Sequence, residues 1–343
     1  MTASEYVSKL RNGWNLGNTL DSLPDEGEDF SPVGQETAWD NPKTTQKMIQ
    51  AVKDAGFDFL RVPVSWCTQT GGAPDYTIKE AFFSRVKEVV DYGIDLNMNV
   101  ILNMHHEDWH FPSDEKYVKA RMTATWTQVS EFFGEYGQEL MFETMNEPRQ
   151  VGTDVEWIGG DEEGRRVVMQ MNSDAVCAIR ATGAKFPQNV SRKILVPTYA
   201  ASSANEAIAD FSPPDDENII VSVHAYIPWD FALSDDHANN RWTESLQGEI
   251  DELFERLDKK FLSKKIPIIM GECGARKKYD NEDDRAAWAE YYTKVARKYG
   301  VPCAWWDNGY LSGDEKTEVF GLLNRRTLEW GFEKVVKAFV GSL

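Results

Sequence analysis

Residues 99–107 read NVILNMHHE, a nearly unbroken apolar run that ends in three polar side chains. A run of this kind predicts a strand that is covered on both faces, as in a parallel sheet. The segment before it, residues 78–92, places Phe82, Val86 and Val90 on one face of a helix, and residues 117–136 follow with a similar pattern. A buried strand between two helices predicts a β/α repeat, with the polar side chains at the carboxyl end of the strand.

The same alternation extends along the whole chain. Eight apolar runs predict strands, at residues 14–18, 59–66, 99–105, 140–146, 193–199, 219–226, 267–272 and 302–306. Amphipathic segments predict helices at residues 44–55, 78–92, 117–136, 165–181, 246–261, 284–299 and 328–340. Glycine is expected to end five of these helices, at Gly56, Gly93, Gly137, Gly183 and Gly300.

Eight strands alternating with helices predict an α/β fold, a (β/α)8 barrel that forms one domain over residues 1–343. A doubly wound sheet is the alternative, but that fold usually has fewer strands and a glycine-rich first turn, and no such motif is present. No linker and no change of composition divides the chain.

Composition narrows the classes of function. The 343 residues include 37 Lys and Arg against 56 Asp and Glu, which gives a net charge of −19. Binding to nucleic acid or to an anionic membrane surface needs clustered basic residues, so we expect neither partner. No apolar run approaches the ~20 residues that a membrane-spanning helix requires. The charge is compatible with an uncharged substrate.

In a (β/α)8 barrel, chemistry takes place at the carboxyl ends of the strands. Six of the predicted strands end in polar or aromatic clusters there, or carry an internal cation. The residues concerned are Arg61 on the second strand, His105 and His106 on the third, Asn146 and Glu147 on the fourth, His224 and Tyr226 on the sixth, Glu272 on the seventh and Trp306 on the eighth. Taken singly, each could be structural, but six strands are not expected to share this pattern by chance.

Two glutamates in different surroundings are what a glycosidase requires. Glu147 and Glu272 come from the fourth and seventh strands, across the barrel mouth from each other. Such an enzyme uses one carboxylic acid and one ionised carboxylate. Arg61 is the cation expected to keep Glu272 charged, while Tyr226 could orient it and Asn146 could bind a hydroxyl of the substrate. We therefore predict Glu147 and Glu272 as catalytic residues.

A second motif points to different chemistry. His106, Glu107 and His110 match H-E-x-x-H, the signature of zinc metallopeptidases. That site needs both histidines on one face of a helix, one turn apart. Here the motif follows a predicted strand and is followed at once by Phe111 and Pro112, so the zinc peptidase remains the weaker hypothesis.

Tryptophans in predicted loops are a further feature. Of the 12 tryptophans, Trp39, Trp109, Trp157 and Trp229 lie outside the periodic segments. Aromatic side chains in loops can form stacking faces for ligands.

With these residues in view, the chain resembles glycoside hydrolase family five, the large cellulase family, and within it the subfamily-four endoglucanases. The resemblance extends nearly end to end through GWNLGNTLD, ETAWDNP, GFDFLRVPVSW, VILNMHHE, FETMNEPR, VHAY, IIMGECGA and AWWDNG. It implies Glu147 as general acid/base and Glu272 as nucleophile in a retaining mechanism. It also implies substrate-binding roles for the following residues: Asn18, Asp21, Trp39, Arg61, His105, His106, Asn146, His224, Tyr226 and Trp306.

The resemblance implies a retaining endo-β-1,4-glucanase that acts on cellulose-like glucans, mixed-linkage β-glucan and xyloglucan. No metal and no organic cofactor is expected, and the polysaccharide is the only partner expected of a monomer. Secretion follows from the substrate, because a long polymer is met outside the cell. Whether Trp305 or Trp306 forms the floor of the subsite is left open, and a catalytically weak glycan-binding barrel remains an alternative.

Overall fold

Eight parallel strands form the centre of the molecule in this computed structural model, which describes residues 1–111, 115–314 and 316–341. The strands, β1 to β8 in chain order, are Asn12–Leu16, Phe59–Val62, Asn99–Asn103, Leu140–Glu143, Ile194–Ser202, Ile219–His224, Ile268–Cys273 and Cys303–Asp307. Each strand pairs with the next, and β8 pairs with β1, so the sheet closes into a barrel in sequence order. The predicted (β/α)8 barrel is confirmed.

Helices follow the strands around the outside of the barrel. Over the described residues they are, as α1 to α12, Ala3–Val7, Pro32–Thr37, Gln46–Asp54, Glu80–Asp95, Glu115–Phe132, Glu162–Ala181, Gln188–Ser191, Asn205–Asp210, Trp229–Ala232, Gln247–Lys260, Glu282–Lys298 and Glu333–Val340. Short 3-10 turns occupy Cys67–Gln69, Thr182–Ala184, Glu244–Leu246 and Leu262–Lys264. All seven predicted helices are present. The five additional α-helices have four to six residues, too few for a periodic pattern to reveal them.

The prediction that Gly93 ends its helix was wrong. Helix α4 continues through Gly93 to Asp95, and Gly93 is buried within it. A Cβ atom at this position would lie 2.8 Å from Cγ2 of Val100 on β3. The glycine therefore allows α4 to approach the barrel closely.

The strands alternate between two environments. Outward side chains pack against the helices in one large apolar layer, to which Leu60, Val100 and Phe142 belong. Inward side chains at the amino ends of the strands form a second, smaller core, which helix α1 covers with Tyr6 and Val7. This inner core includes Phe59, Ile101, Met141, Leu195, Ile220, Ile269 and Ala304.

The site is built directly above that inner core. A strand repeats its facing every two residues, so the next inward positions lie one layer nearer the carboxyl ends. Those positions are Arg61, Asn103, Glu143, Ser222 and Trp306. The apolar floor thus supports a polar layer that faces the barrel mouth. No described helix has the length and apolar character needed to cross a membrane.

Candidate active site

Arg61 lies at the centre of the polar layer and is completely buried. Its Nη1 donates to Oε1 of Glu272 at 2.7 Å and to Oδ1 of Asn15 at 2.9 Å. Its Nε donates to Oε2 of Glu143 at 2.7 Å, and its Nη2 donates to Oδ1 of Asn146 at 2.8 Å. Burial opposes the charge of the guanidinium, but Glu143 and Glu272 outweigh it and raise the pKa of Arg61 above its usual value. Arg61 therefore stays a cation, and it links β2 to β1, β4 and β7 and to the residues that follow β4.

Glu272 and Glu147 face each other with different partners. Both oxygens of Glu272 have donors, since Arg61 binds Oε1 and the hydroxyl of Tyr226 donates to Oε2 at 2.7 Å. Oε1 of Glu147 lies 2.8 Å from Nδ1 of His224, which is 3.6 Å from Oε2 of Glu272. One carboxylate oxygen of Glu147 and one of Glu272 lie within 4.8 Å of each other. An approach this close between single oxygens is compatible with the ~5–5.5 Å between carboxyl groups in retaining glycosidases.

The proton of Tyr226 is held firmly. Burial, followed by the charges of Glu272 and Glu147, raises the pKa of the Tyr226 hydroxyl well above its ordinary value. The hydroxyl therefore stays a donor to Glu272 at neutral pH.

Trp306 is the tryptophan that faces the mouth. Its ring is partly exposed and lies parallel to the imidazole of His105, with 5.7 Å between the ring centroids. Trp305 points outward and is completely buried, with its ring centroid 5.9 Å from that of Trp288 and 5.4 Å from that of Phe339. The alternation of β8 thus keeps Trp305 away from the barrel mouth and leaves Trp306 as the tryptophan that faces it.

The position of Trp306 depends on a glycine after β1. A Cβ atom on Gly17 would lie 2.7 Å from Cη2 of Trp306 and 3.0 Å from the carbonyl oxygen of Asp307. Any larger residue at position 17 would displace the indole. The glycine that ends the Gly-Trp-Asn-Leu-Gly run therefore makes room for the indole of Trp306.

Asp21 holds the loop that follows β1. Its carboxylate is fully buried and accepts the backbone N–H groups of Thr19 at 2.7 Å and Asn18 at 3.0 Å. Nε2 of His105 lies 3.9 Å from its Oδ2. Burial raises the pKa of Asp21 to about 6. Asn18 is partly exposed and has a left-handed backbone, with φ of 56°, which the hydrogen bonds of Asp21 stabilise.

His106 and Trp39 form the rim beside His105. Their rings are 5.7 Å apart, and the ring of His106 is 4.4 Å from that of His105. The backbone N–H of His106 donates to Oγ of Ser65 at 3.0 Å. Burial lowers the pKa of His106 to about 4, so the imidazole is neutral over most of the working range of an enzyme.

Sequence reasoning missed four members of the buried layer: Asn15, Asn103, Glu143 and Ser222. Glu143 accepts from Oγ of Ser222 at 2.6 Å and from Nδ2 of Asn103 at 3.1 Å, in addition to Arg61. These residues lie inside predicted strands rather than at their ends, so the strand ends alone do not identify them. The period of two would have found them, since Glu143 is two residues after the inward-facing Met141.

The four loop tryptophans have different environments. Trp157 and Trp229 are exposed, and Trp39 is partly exposed. The guanidinium of Arg149 lies 4.0 Å from the ring of Trp157 and also donates to the carbonyl oxygen of Glu147 at 3.0 Å. Trp109 is buried, so it offers no stacking face to a ligand.

The zinc peptidase hypothesis is contradicted by the geometry of its motif. Residues 104–110 form no helix, so His106 and His110 do not share a helical face. Nε2 of His110 is buried against Sδ of Met104 at 3.1 Å. Glu107 accepts the backbone N–H of Trp66 at 2.6 Å and holds the chain instead of facing an open site.

Two other groups of possible metal ligands occur among the described residues. They are Asp21 with His105 and His106, and Glu147 with His224 and Glu272, each with ligand atoms within 4.8 Å of one another. Both groups coincide with the proposed sugar site, and neither contains His110.

The chain matches known proteins over nearly its whole length. Residues 23–312 match the model of the cellulase family, glycosyl hydrolase family 5. Endoglucanase A of Clostridium longisporum is 44% identical over an alignment that covers 99% of this chain and 65% of that protein. Endoglucanase A of Ruminococcus albus is 42% identical over 99% of this chain and 92% of that protein. The chain therefore spans slightly less than two thirds of the first of these relatives.

Solved structures agree with this assignment. A family 5, subfamily 4 broad-specificity endoglucanase from Ruminococcus champanellensis with bound cellotriose superposes with a TM-score of 0.93 and 41% identity, covering 99% of each chain. A xyloglucan-specific endo-β-1,4-glucanase from a metagenomic library, in complex with cellotriose, superposes with a TM-score of 0.93 and 37% identity, covering 98% of each chain. A family 5 lichenase from Caldicellulosiruptor sp. F32, in complex with cellotetraose, superposes with a TM-score of 0.92 and 36% identity, covering 99% of this chain and 95% of that one.

The closed barrel, the glutamate pair at its mouth and the match to the family model together place the chain among the glycoside hydrolases. The chain belongs to glycoside hydrolase family 5, the cellulase family, and within that family it is similar to endoglucanases.

Proposed function

We propose that this protein hydrolyses internal β-1,4-glucosidic bonds by a double displacement with retention of configuration. The observation that carries the proposal is the pair formed by Glu147 and Glu272, whose carboxylate oxygens approach within 4.8 Å while their partners differ. Of the two carboxylates, only that of Glu272 forms an ion pair with a guanidinium among the described residues. Glu272 is thus the group suited to remain a carboxylate, and Glu147 is the group suited to carry a proton.

In the first step, the carboxylate of Glu272 attacks the anomeric carbon while Glu147 gives its proton to the glycosidic oxygen. The bond from the anomeric carbon to the leaving oxygen breaks, and a glycosyl ester of Glu272 forms. In the second step, Glu147 takes a proton from water, whose oxygen attacks the same carbon and releases Glu272. Arg61 and Tyr226 orient Glu272 throughout, since each donates to a different oxygen of its carboxylate.

Binding of the sugar is assigned to side chains around the two glutamates. Trp306 would stack on the apolar face of a pyranose ring next to the bond that is hydrolysed. The indole lies at the barrel mouth, parallel to the imidazole of His105. His105, Asn146 and His224 would hydrogen-bond hydroxyls near the reacting carbon. His106, Trp39 and Asn18 would contact the next sugar at the rim, and Asp21 would hold the loop that carries Asn18.

The substrate class proposed is a neutral β-1,4-linked glucan, including mixed-linkage β-glucan, cellulose-like chains and xyloglucan. Structural relatives that are described as broad-specificity, xyloglucan-specific and lichenase enzymes support this range. The net charge of −19 does not oppose binding of an uncharged polymer. The proposed steps use only side chains and water.

We further propose that residues 1–343 act as one catalytic domain and as a monomer, without nucleic acid or membrane partners. Elements of the barrel extend from Ala3 to Val340, which supports a single unit. We place its action outside the cell, because a long glucan is encountered there.

The proposal is tested by the release of reducing ends from mixed-linkage β-glucan, with the β-anomer formed first in the product. Glu272→Gln should lower the rate by roughly four orders of magnitude or more, and Glu147→Gln by roughly 10²- to 10⁴-fold. Glu290→Gln, on the exposed face of α11, is the matched control and should keep full activity.

An aryl cellobioside with a dinitrophenyl leaving group separates the two roles. This leaving group needs no proton, so Glu147→Gln should still release a burst of phenol, whereas Glu272→Gln should not. Binding of glucan without release of reducing ends would instead indicate the glycan-binding barrel. Activity that a chelator abolishes would indicate metal-dependent chemistry and contradict the proposed steps.

A further inference from the structure

A chain of hydrogen bonds leads from the barrel wall to His105. The backbone N–H of Val64 donates to Oδ1 of Asn103 at 3.0 Å. Nδ2 of Asn103 donates to Oε2 of Glu143 at 3.1 Å and lies 3.1 Å from Nδ1 of His105. All four residues are buried, so water does not compete for these positions. Asn103 is therefore the direct link between the Arg61–Glu143 ion pair and the imidazole.

The orientation of the Asn103 amide follows from its two other partners. A backbone N–H can only donate, so the group facing Val64 is the amide oxygen. Glu143 is paired with Arg61 and accepts, so the group facing it is the amide nitrogen. The second hydrogen of that nitrogen points at His105. Nδ1 of His105 must accept it, because two donors facing each other in a buried site would leave both unpaired.

The charge state of His105 determines how many ring protons it carries. Burial, with the nearby His106 and the cation Arg61, lowers the pKa of His105 well below its ordinary value. The ring is therefore neutral and carries a single N–H. With Nδ1 accepting from Asn103, that proton must be on Nε2, the nitrogen that lies 3.9 Å from Oδ2 of Asp21.

We propose that Asn103 is a positioning residue that fixes His105 as the Nε2–H tautomer, so that His105 presents a hydrogen-bond donor to the substrate. Through Glu143, the same amide is anchored to Arg61, which holds the nucleophile. One buried layer thus sets both the orientation of Glu272 and the donor character of His105. The part that concerns substrate depends on the proposed function, whereas the tautomer does not.

The tautomer can be observed directly in protein labelled with 15N-histidine. The chain has five histidines, so a His105→Gln variant assigns the resonances of His105. In two-bond 1H–15N spectra at pH 7, we expect Nε2 to be protonated and Nδ1 to show the shift of an unprotonated ring nitrogen. Asn103→Asp places an accepting oxygen between Nδ1 of His105 and Oε2 of Glu143, so a proton should appear on Nδ1 of His105.

Ser222→Ala is the matched control. It removes the 2.6 Å hydrogen bond to the other oxygen of Glu143 and does not touch the imidazole. This variant should therefore keep the Nε2–H form, even if its activity falls. A change of tautomer in Ser222→Ala equal to that in Asn103→Asp would overturn the specific role of Asn103.

Kinetics give a second readout. Since Asn103→Asp turns a donor into an acceptor, kcat/KM on an aryl cellobioside should fall by roughly 10- to 100-fold. Among aryl cellobiosides that each lack one hydroxyl, the fall in kcat/KM should be smaller for the substrate without the hydroxyl that His105 binds.

A proton on Nδ1 in the wild-type protein overturns the proposal, and this measurement requires no variant to fold other than the one used for assignment. Absence of glucanase activity with the Nε2–H form present would contradict the proposed function and leave the role of Asn103 standing.

Discussion

Both carboxylate oxygens of Glu272 accept hydrogen bonds from protein donors. This difference in hydrogen bonding, more than a difference in position, distinguishes Glu272 from Glu147. Arg61 and Tyr226 each donate at 2.7 Å, from β2 and from the end of β6. Glu147 has the 2.8 Å contact with His224 and is the more exposed of the two, with 18% of its side chain accessible against 6% for Glu272. In the proposed mechanism, Glu147 has to meet water in the second step, whereas Glu272 has to stay in place.

Tyr226→Phe should lower kcat on β-glucan by roughly 10- to 100-fold. A hydrogen bond to a charged group is worth about 1.5–3 kcal/mol, and the phenol is the donor that holds Oε2 of Glu272. Steady-state rates and the free energy of unfolding should be measured together. Loss of activity at unchanged stability supports an orienting role, whereas full activity would contradict it.

At the scale of elements, packing overrides local signals at particular residues. Gly93 looked like a helix terminus from the sequence, but it is the contact point between α4 and the barrel, because its missing side chain leaves room for Val100. Inside the barrel, Gly13 plays the corresponding part, since a Cβ atom there would lie 2.2 Å from the ring of Phe59. In both places a small residue is needed for a neighbour in space that is distant in sequence.

Gly93→Ala should destabilise the fold by about 1–2 kcal/mol. The new methyl group would lie 2.8 Å from Cγ2 of the buried and rigid Val100, and such overpacking outweighs the gain in helix propensity. Gly248→Ala in α10 is the control, since nothing lies within 4 Å of its Cβ position. It should stabilise by up to about 1 kcal/mol. Urea unfolding measures the free energy of unfolding of both variants. An equal increase in Gly93→Ala and Gly248→Ala would contradict close packing at Gly93.

For the molecule as a whole, the third strand and its loop place uncharged histidines inside a protein of net charge −19. His105, His106 and His110 all have pKa values lowered by burial, to about 4 for His106 and about 3 for His110. In the unfolded chain they titrate near 6.5. Between those values the unfolded state binds more protons than the folded state, so stability rises with pH and is lost as pH falls from 6.5 towards 3.

His110→Gln should make the protein less sensitive to acid. His110 lies away from the glutamates, against Met104, so its replacement tests stability rather than catalysis. Between pH 7 and pH 4.5 the wild type should lose about 2 kcal/mol more free energy of unfolding than the variant. Between pH 7 and pH 8 the two proteins should change equally. A parallel loss in acid would show that His110 does not contribute.

The eight strands, their order and the polar residues at their ends follow from the sequence alone, because apolar runs and amphipathic helices are local patterns. These patterns place Glu147, Glu272 and Arg61 at one end of a barrel. The tertiary structure decided which partners each glutamate has, and it brought Asn103 and Glu143 into a layer that the strand ends alone did not reveal. It also distinguished Trp306 from Trp305 and Gly93 from a helix end. These outcomes depend on contacts between residues far apart in the chain, and their geometry is fixed only when the barrel closes.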